Sequence, residues 1–150
     1  MKSLIFFALV VPMASARAQA PKDIYPAPEA APTEIKSAIT NATRLHKRII
    51  LDFGGNWCED CRVLDKFFHD DANAKLLKAN FILVDVNIGK FDKNQDIAKK
   101  YGVPLERGVP SLAVLDSGGH PLFSQKKGEF ESMRRLESSA LTDFLNHWKQ

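Results

Sequence analysis

The sequence predicts an α/β domain: a central mixed sheet of about four to five strands with helices on both faces. Three observations lead there. Runs at 49–53, 81–88 and 111–115 have the length and apolar character of strands. Between and around them, apolar residues recur at helical spacing. The turn Asp116-Ser117-Gly118-Gly119 is so short that the run after it must return antiparallel to the run before it.

In chain order, Met1-Lys2-Ser3 is a short basic start, and Leu4 to Met13 is apolar apart from Pro12. Small residues follow, and Ala16-Arg17-Ala18 offers a small-x-small site. Residues 1–18 therefore read as a signal peptide cleaved after Ala18. The apolar run falls short of the roughly 20 residues that a spanning helix needs, so no stable membrane insertion is expected. Residues 19–32 carry Pro21, Pro26, Pro28 and Pro32 among alanines and read as an extended, flexible lead-in, with Ile24 and Tyr25 able to dock on the domain though nothing requires it.

The domain itself is expected over 33–150. Thr33 reads as an N-cap, followed by Ile35, Ala38, Ile39, Ala42 and Leu45 on one helical face. Arg48 to Phe53 is a strand, and Gly54-Gly55-Asn56 leads into a helix from Cys58 to about His69. Asp70 to Asn80 predicts a turn and a short helix. The near-continuous apolar run from Phe81 to Ile88 suits a strand buried on both faces. Gln95 to Tyr101 is a helix ended by Gly102, and Pro104 to Gly108 is a loop expected to border the active-site surface and to contribute to partner choice. Ser111–Leu115 and Pro121–Ser124 form the hairpin, and Leu141, Phe144, Leu145 and Trp148 share the core-facing side of a last helix from Ser138 or Ser139.

The full chain has 150 residues and a net charge of +3. Cleavage after Ala18 would remove Lys2 and Arg17 and no acid, leaving +1. Such a balance makes no electrostatic case for nucleic acid or an anionic membrane. The length suits one domain with a single core, expected to act as a monomer. His46, His69, His120 and His147 are scattered without metal-ligand spacing to the cysteines, so no metal site is expected.

The two cysteines, Cys58 and Cys61, are separated by two residues at a strand-to-helix junction. There the first backbone N–H groups lack helical partners and the dipole favours negative charge, so a thiolate is stabilised. Positions i and i+3 of a first turn share a face, so the two thiols can pair. One can attack a partner disulfide and the other resolve the mixed disulfide. Zinc normally needs four ligands, and no second cysteine pair exists. Haem attachment would need a histidine where Arg62 stands. As a staple, a bridge closing so small a loop removes little entropy from the unfolded chain.

Leu51-Asp52-Phe53 before Trp57-Cys58-Glu59-Asp60-Cys61, then Tyr101-Gly102-Val103, then Gly108-Val109-Pro110-Ser111-Leu112, together resemble the thioredoxin superfamily over roughly residues 33–148. The likeness is greatest to exported, reductase-type domains such as the C-terminal domain of the thiol:disulfide interchange reductase. It implies a thioredoxin-like fold, with Cys58 as the exposed attacking thiol and Cys61 as the buried resolving one. It also implies Pro110 as the family's cis-proline, and Trp57, Val109 and Pro110 as the substrate-binding surface. Asp52 lies inside an apolar strand, where burial as an anion is expensive and raises the pKa. The likeness implies that it accepts the Cys61 proton.

Two departures qualify the match. Asp85 occupies the position similar to a strand lysine that partners the buried acid. A second acid there either raises the Asp52 pKa further or turns toward solvent. Glu59 and Asp60 stand between the cysteines, where thioredoxins have Gly-Pro and strong oxidants or isomerases carry a histidine. Two acids beside Cys58 disfavour its thiolate, which predicts a reducing potential. The expected function is an exported, periplasmic thiol:disulfide oxidoreductase that reduces protein disulfides. It would need no cofactor of its own, because no nucleotide or flavin motif is present, and would draw electrons from a redox-partner protein. The rival class is a binding module that delivers copper or holds a partner through the cysteine pair without turnover.

Overall fold

The computed structural model describes residues 22–150. The expected signal peptide and its cleavage point lie outside the described residues.

The elements are α1 (Ala31–Leu45), β1 (Arg48–Gly54), α2 (Glu59–Phe68), α3 (Asp71–Asn80), β2 (Phe81–Asn87), α4 (Gln95–Lys100), β3 (Ser111–Leu115), β4 (Pro121–Ser124) and α5 (Ser138–Trp148). Four strands form one mixed sheet in the order β2-β1-β3-β4. β1 runs parallel to β2 and antiparallel to β3, and β3 pairs antiparallel with β4 across the 116–119 turn.

Strand alternation splits the core into two layers. Ile49, Leu51 and Phe53 of β1 pack with Val84 and Val86 under α1, whose Ile35, Ala38 and Ala42 supply the facing stripe. Ile50 packs on the other side with Leu112 and Val114, against Leu64 and Phe68 of α2 and Leu141 and Leu145 of α5. The α5 stripe is thus core: Leu141 and Leu145 are fully buried, and Phe144 and Trp148 pack beside Phe123. Truncating either leucine to alanine would cost about 2–5 kcal/mol.

Three expectations are corrected. Thr33 is not the cap of α1. The helix starts at Ala31 after a 3-10 turn at Pro28–Ala30, because Pro28 and Pro32 have a φ suited to first-turn positions whose N–H would be unpaired anyway. The lead-in is not free either. Tyr25 is 2% exposed, and Asn87 and Asn94 donate side-chain hydrogen bonds to the carbonyls of Pro26 and Pro28. The prolines extend this segment, and polar side chains from the loops hold it against the domain. Third, β2 lies at a sheet edge, so Ile82, Leu83, Asp85 and Asn87 are only partly buried. The strand is covered on both faces, as expected, but the cover is incomplete at this edge.

Candidate active site

Cys58 and Cys61 are disulfide-bonded, with Cα atoms 5.3 Å apart. Cys58 is the N-cap of α2: its backbone is extended, and its sulfur accepts the Cys61 N–H at 3.1 Å. The sulfur therefore occupies the place where a capping oxygen would sit, and receives the same stabilisation of negative charge. Cys61 is fully buried and Cys58 is 6% exposed. Cys58 is thus the more exposed of the two, but it is far more enclosed than the expected exposed thiol. Opposite it, the Val109 carbonyl oxygen lies 3.7 Å from Cys58 Sγ. The Val109–Pro110 peptide bond is cis. Gln125, buried after β4, donates to the Pro110 carbonyl and accepts from the Leu112 N–H, tying that loop to the hairpin.

The rim is aromatic. Trp57 is 43% exposed, donates from Nε1 to the Gly89 carbonyl at 2.5 Å, and tilts against Phe91 with ring centroids 5.5 Å apart. Beyond Phe91, a groove of about 840 Å³ runs between α4 and the 104–108 loop, lined by Phe91, Ala98, Val103, Leu105 and Gly108. The loop therefore ends beside Val109, at the edge of the cysteine surface.

Behind the pair lies a buried acid. Asp52 is 1% exposed, and its Oδ2 accepts the Tyr25 hydroxyl at 2.9 Å, while Oδ1 has no partner among the described residues. Asp85 is its register partner on β2. Burial, then the charge of Asp85, push the Asp52 pKa well above the ordinary carboxylate value, and the Tyr25 hydrogen bond pulls the other way. Asp85 is pushed up to about 7, by burial first and then by Asp65 and Glu34. Neither acid has an ion-pair partner among the described residues. Asp85 also borders a second cavity, lined in part by Lys22, Arg62, Asp65 and His69. Of the two alternatives for the second acid, the first holds: the charge of Asp85 raises the Asp52 pKa, and Asp85 itself stays partly buried beside this opening.

In front of the pair the acids are compensated. Arg134 donates from NH1 to Glu59 Oε2 at 2.9 Å, and from its backbone N–H and Nε to Asp60 Oδ1 at 2.9 and 3.2 Å. Desolvation of Asp60 is outweighed by these contacts, so its pKa lies below the ordinary value. Two negative charges beside Cys58 underlie the expected reducing bias. The guanidinium removes one of them, which weakens the expected bias against the thiolate.

Four contributors were missed from sequence: Tyr25, Asn56, Gln125 and Arg134. Asn56 Oδ1 accepts the N–H groups of Ile24 and Tyr25, and its Nδ2 donates to the Tyr25 carbonyl. Its place two residues before Cys58 was the one available signal. The histidines make their contacts elsewhere: His69 and His120 pair with Asp65 and Asp116, His147 meets Trp148 edge to face, and His46 ends α1 in a left-handed conformation.

A thioredoxin-like family model matches residues 30–117. A thioredoxin from Buchnera aphidicola is 31% identical over 67% of this chain and 77% of its own length. The thiol:disulfide interchange protein DsbD of Colwellia psychrerythraea is 24% identical over 71% of this chain, but the chain spans only 17% of that protein. The crystal structure of a disulphide isomerase from Xylella fastidiosa superposes with a TM-score of 0.81 at 34% identity, covering 85% of this chain and 98% of that one. The family match takes in β1, the cysteine pair and the Val109–Pro110 loop, and extends over more than half of the sequence. The chain therefore belongs to the thioredoxin-like family, and the pair at the start of α2 is a thiol:disulfide oxidoreductase centre.

Proposed function

We propose that this protein is an exported thiol:disulfide oxidoreductase that reduces disulfides in other proteins. The observation that carries the reading is the Cys58–Cys61 pair at a helix N-terminus, with the buried Asp52 behind it and Val109–Pro110 in front. Cys58 thiolate attacks a substrate disulfide and one substrate thiolate departs. Asp52 accepts the Cys61 proton, Cys61 attacks Cys58 Sγ, and the second substrate thiolate leaves. The substrate gains two electrons and the pair becomes a disulfide, to be reduced again by a partner thiol protein. Trp57, Val109 and Pro110 flank the reacting sulfur and supply the surface on which substrate backbone lies. Export is supported by the basic start, apolar run and small residues of positions 1–18. The acids Glu59 and Asp60, with a single compensating arginine, favour the reducing direction.

The likeness to the Xylella disulphide isomerase favours a second reading, in which Cys58 reshuffles substrate disulfides and Cys61 serves mainly to release trapped complexes. The reduction potential separates the two. Equilibration with a graded dithiothreitol or glutathione buffer should give a value near −270 mV, about that of thioredoxin. A value near −180 mV, about that of an isomerase, would replace the reductase reading by the isomerase one. A value near −120 mV would exclude both in favour of an oxidant.

A further inference from the structure

Tyr25 lies outside the residues that match the family model, which begin at position 30, yet its hydroxyl ends in the centre of the site. We infer that Tyr25 is a positioning residue for the resolving half of the exchange: its hydroxyl holds Asp52 Oδ2, so that the buried Oδ1 is the atom left to take the Cys61 proton. This rests on the oxidoreductase reading above.

The geometry is specific. The hydroxyl donates to Oδ2 at 2.9 Å, and Oδ1 is buried without a partner among the described residues. A Cβ placed on Gly54 would fall 2.3 Å from the Tyr25 hydroxyl oxygen and 2.8 Å from Cys61 Sγ. The phenol and the resolving sulfur therefore converge on one spot above Gly54, and only glycine leaves room for both. The ring cannot drift from that spot, because Asn56 holds the backbone of Ile24 and Tyr25 through three hydrogen bonds of 2.8–2.9 Å. Asn56 belongs to the loop that enters Cys58, so the hydroxyl is tied to the frame of the reacting pair.

The chemistry follows. Cys61 S–H gives its proton to Asp52, its electron pair forms the bond to Cys58 Sγ, and the Cys58–substrate bond breaks with its pair on the substrate sulfur. Asp52 must be ionised to accept that proton. Around it stand Asp85 from β2 and Asp65 from α2, with Glu34 of α1 and His69 after α2 acting on Asp85, while β3 presents only Leu112 in register. No cation pairs with Asp52 among the described residues, so the Tyr25 hydrogen bond is the contact that favours its charged form. Burial and the neighbouring Asp52 push the Tyr25 pKa above its usual value, so the phenol stays a donor throughout.

The test is stopped-flow reaction of the reduced full chain with the aromatic disulfide dithiobis-nitrobenzoate. The first thiolate released reports attack by Cys58 and the second reports attack by Cys61. In Tyr25→Phe the first phase should stay within about twofold of the wild type. The second should slow about tenfold at neutral pH, with its midpoint moved up by about one pH unit. A ¹³C titration of the Asp52 carboxyl should move the same way and reads the effect apart from turnover. On an Asp52→Asn background, Tyr25→Phe should add nothing. An unchanged second phase and carboxyl titration, or an equal loss on the Asp52→Asn background, would overturn the inference alone. A wild-type protein that never releases the second thiolate would overturn the oxidoreductase reading itself.

Discussion

Two pairs of acids flank the same disulfide, and they are treated in opposite ways. Glu59 and Asp60 face outward beside Cys58, and Arg134 reaches both. Asp52 and Asp85 sit side by side on the sheet behind Cys61, and neither has a cationic partner among the described residues. Outside, one guanidinium compensates both charges, and its contacts hold the Asp60 carboxyl below the ordinary value despite its partial burial. Inside, desolvation and then neighbouring acids, Asp85 for Asp52 and Asp65 and Glu34 for Asp85, push both pKa values above the ordinary carboxylate range. The same carboxyl chemistry thus becomes a compensated charge pair on one side of the disulfide and two unpartnered acids with raised pKa values on the other.

The largest break in that contrast should come from Asp52→Asn. Removing the proposed base should slow release of substrate by Cys61 about a hundredfold, while the attack of Cys58 is nearly unchanged. Single-turnover decay of the mixed disulfide reads it. The same variant should resist urea better at neutral pH, because it no longer holds a carboxyl in an unfavourable place. Equal slowing of both steps would mean that Asp52 supports the fold and not the proton transfer.

The second test uses pH. A carboxyl whose folded pKa is raised binds its proton more tightly in the native state, so it stabilises the fold below its unfolded pKa. That contribution is lost as pH rises through the folded value. With Asp85 raised from 3.8 to about 7 and Asp52 raised in the same direction, stability should fall between about pH 4 and pH 7, by roughly 2–4 kcal/mol for Asp85. The lowered carboxyls of Asp60, Asp70 and Asp116 act below that window. Asp85→Asn should flatten the slope in urea unfolding of the oxidised protein. A wild-type stability that climbs through this window would contradict the inner pair as described.

The smallest effect belongs to the outer pair. Arg134→Ala leaves Glu59 and Asp60 uncompensated, so the Cys58 thiolate is disfavoured and its attack at neutral pH should slow about threefold at low salt, less at high salt. Iodoacetamide alkylation of the reduced protein measures it. A change as large as that of Asp52→Asn would erase the distinction between the two sides.

Much of this site was legible before any fold was known. The cysteine pair, the strand before it and the helix after it are short-range features, written in the i, i+3 spacing and the period of the apolar residues. Asp52 stood out because an acid inside an apolar strand is expensive. The start of α1 was misread because Pro28 and Pro32 mark loops and first helical turns alike. Tyr25 was named only as able to dock and not as part of the site, because nothing in a proline-rich stretch signals a partner 27 residues away.

Sequence alone thus settled the α/β architecture, the antiparallel hairpin, the position of the redox pair and the buried character of Asp52. These depend on local periodicity and on the cost of desolvating a charge, which neighbouring residues reveal. Tertiary structure decided which acids are paired. It set Asp85 in register with Asp52, brought the Tyr25 hydroxyl onto Oδ2, and carried Arg134 across 74 residues to Asp60. Such contacts have no period and no fixed spacing. They exist only once strand register and loop docking have brought distant side chains within the few ångströms over which a hydrogen bond or an ion pair acts.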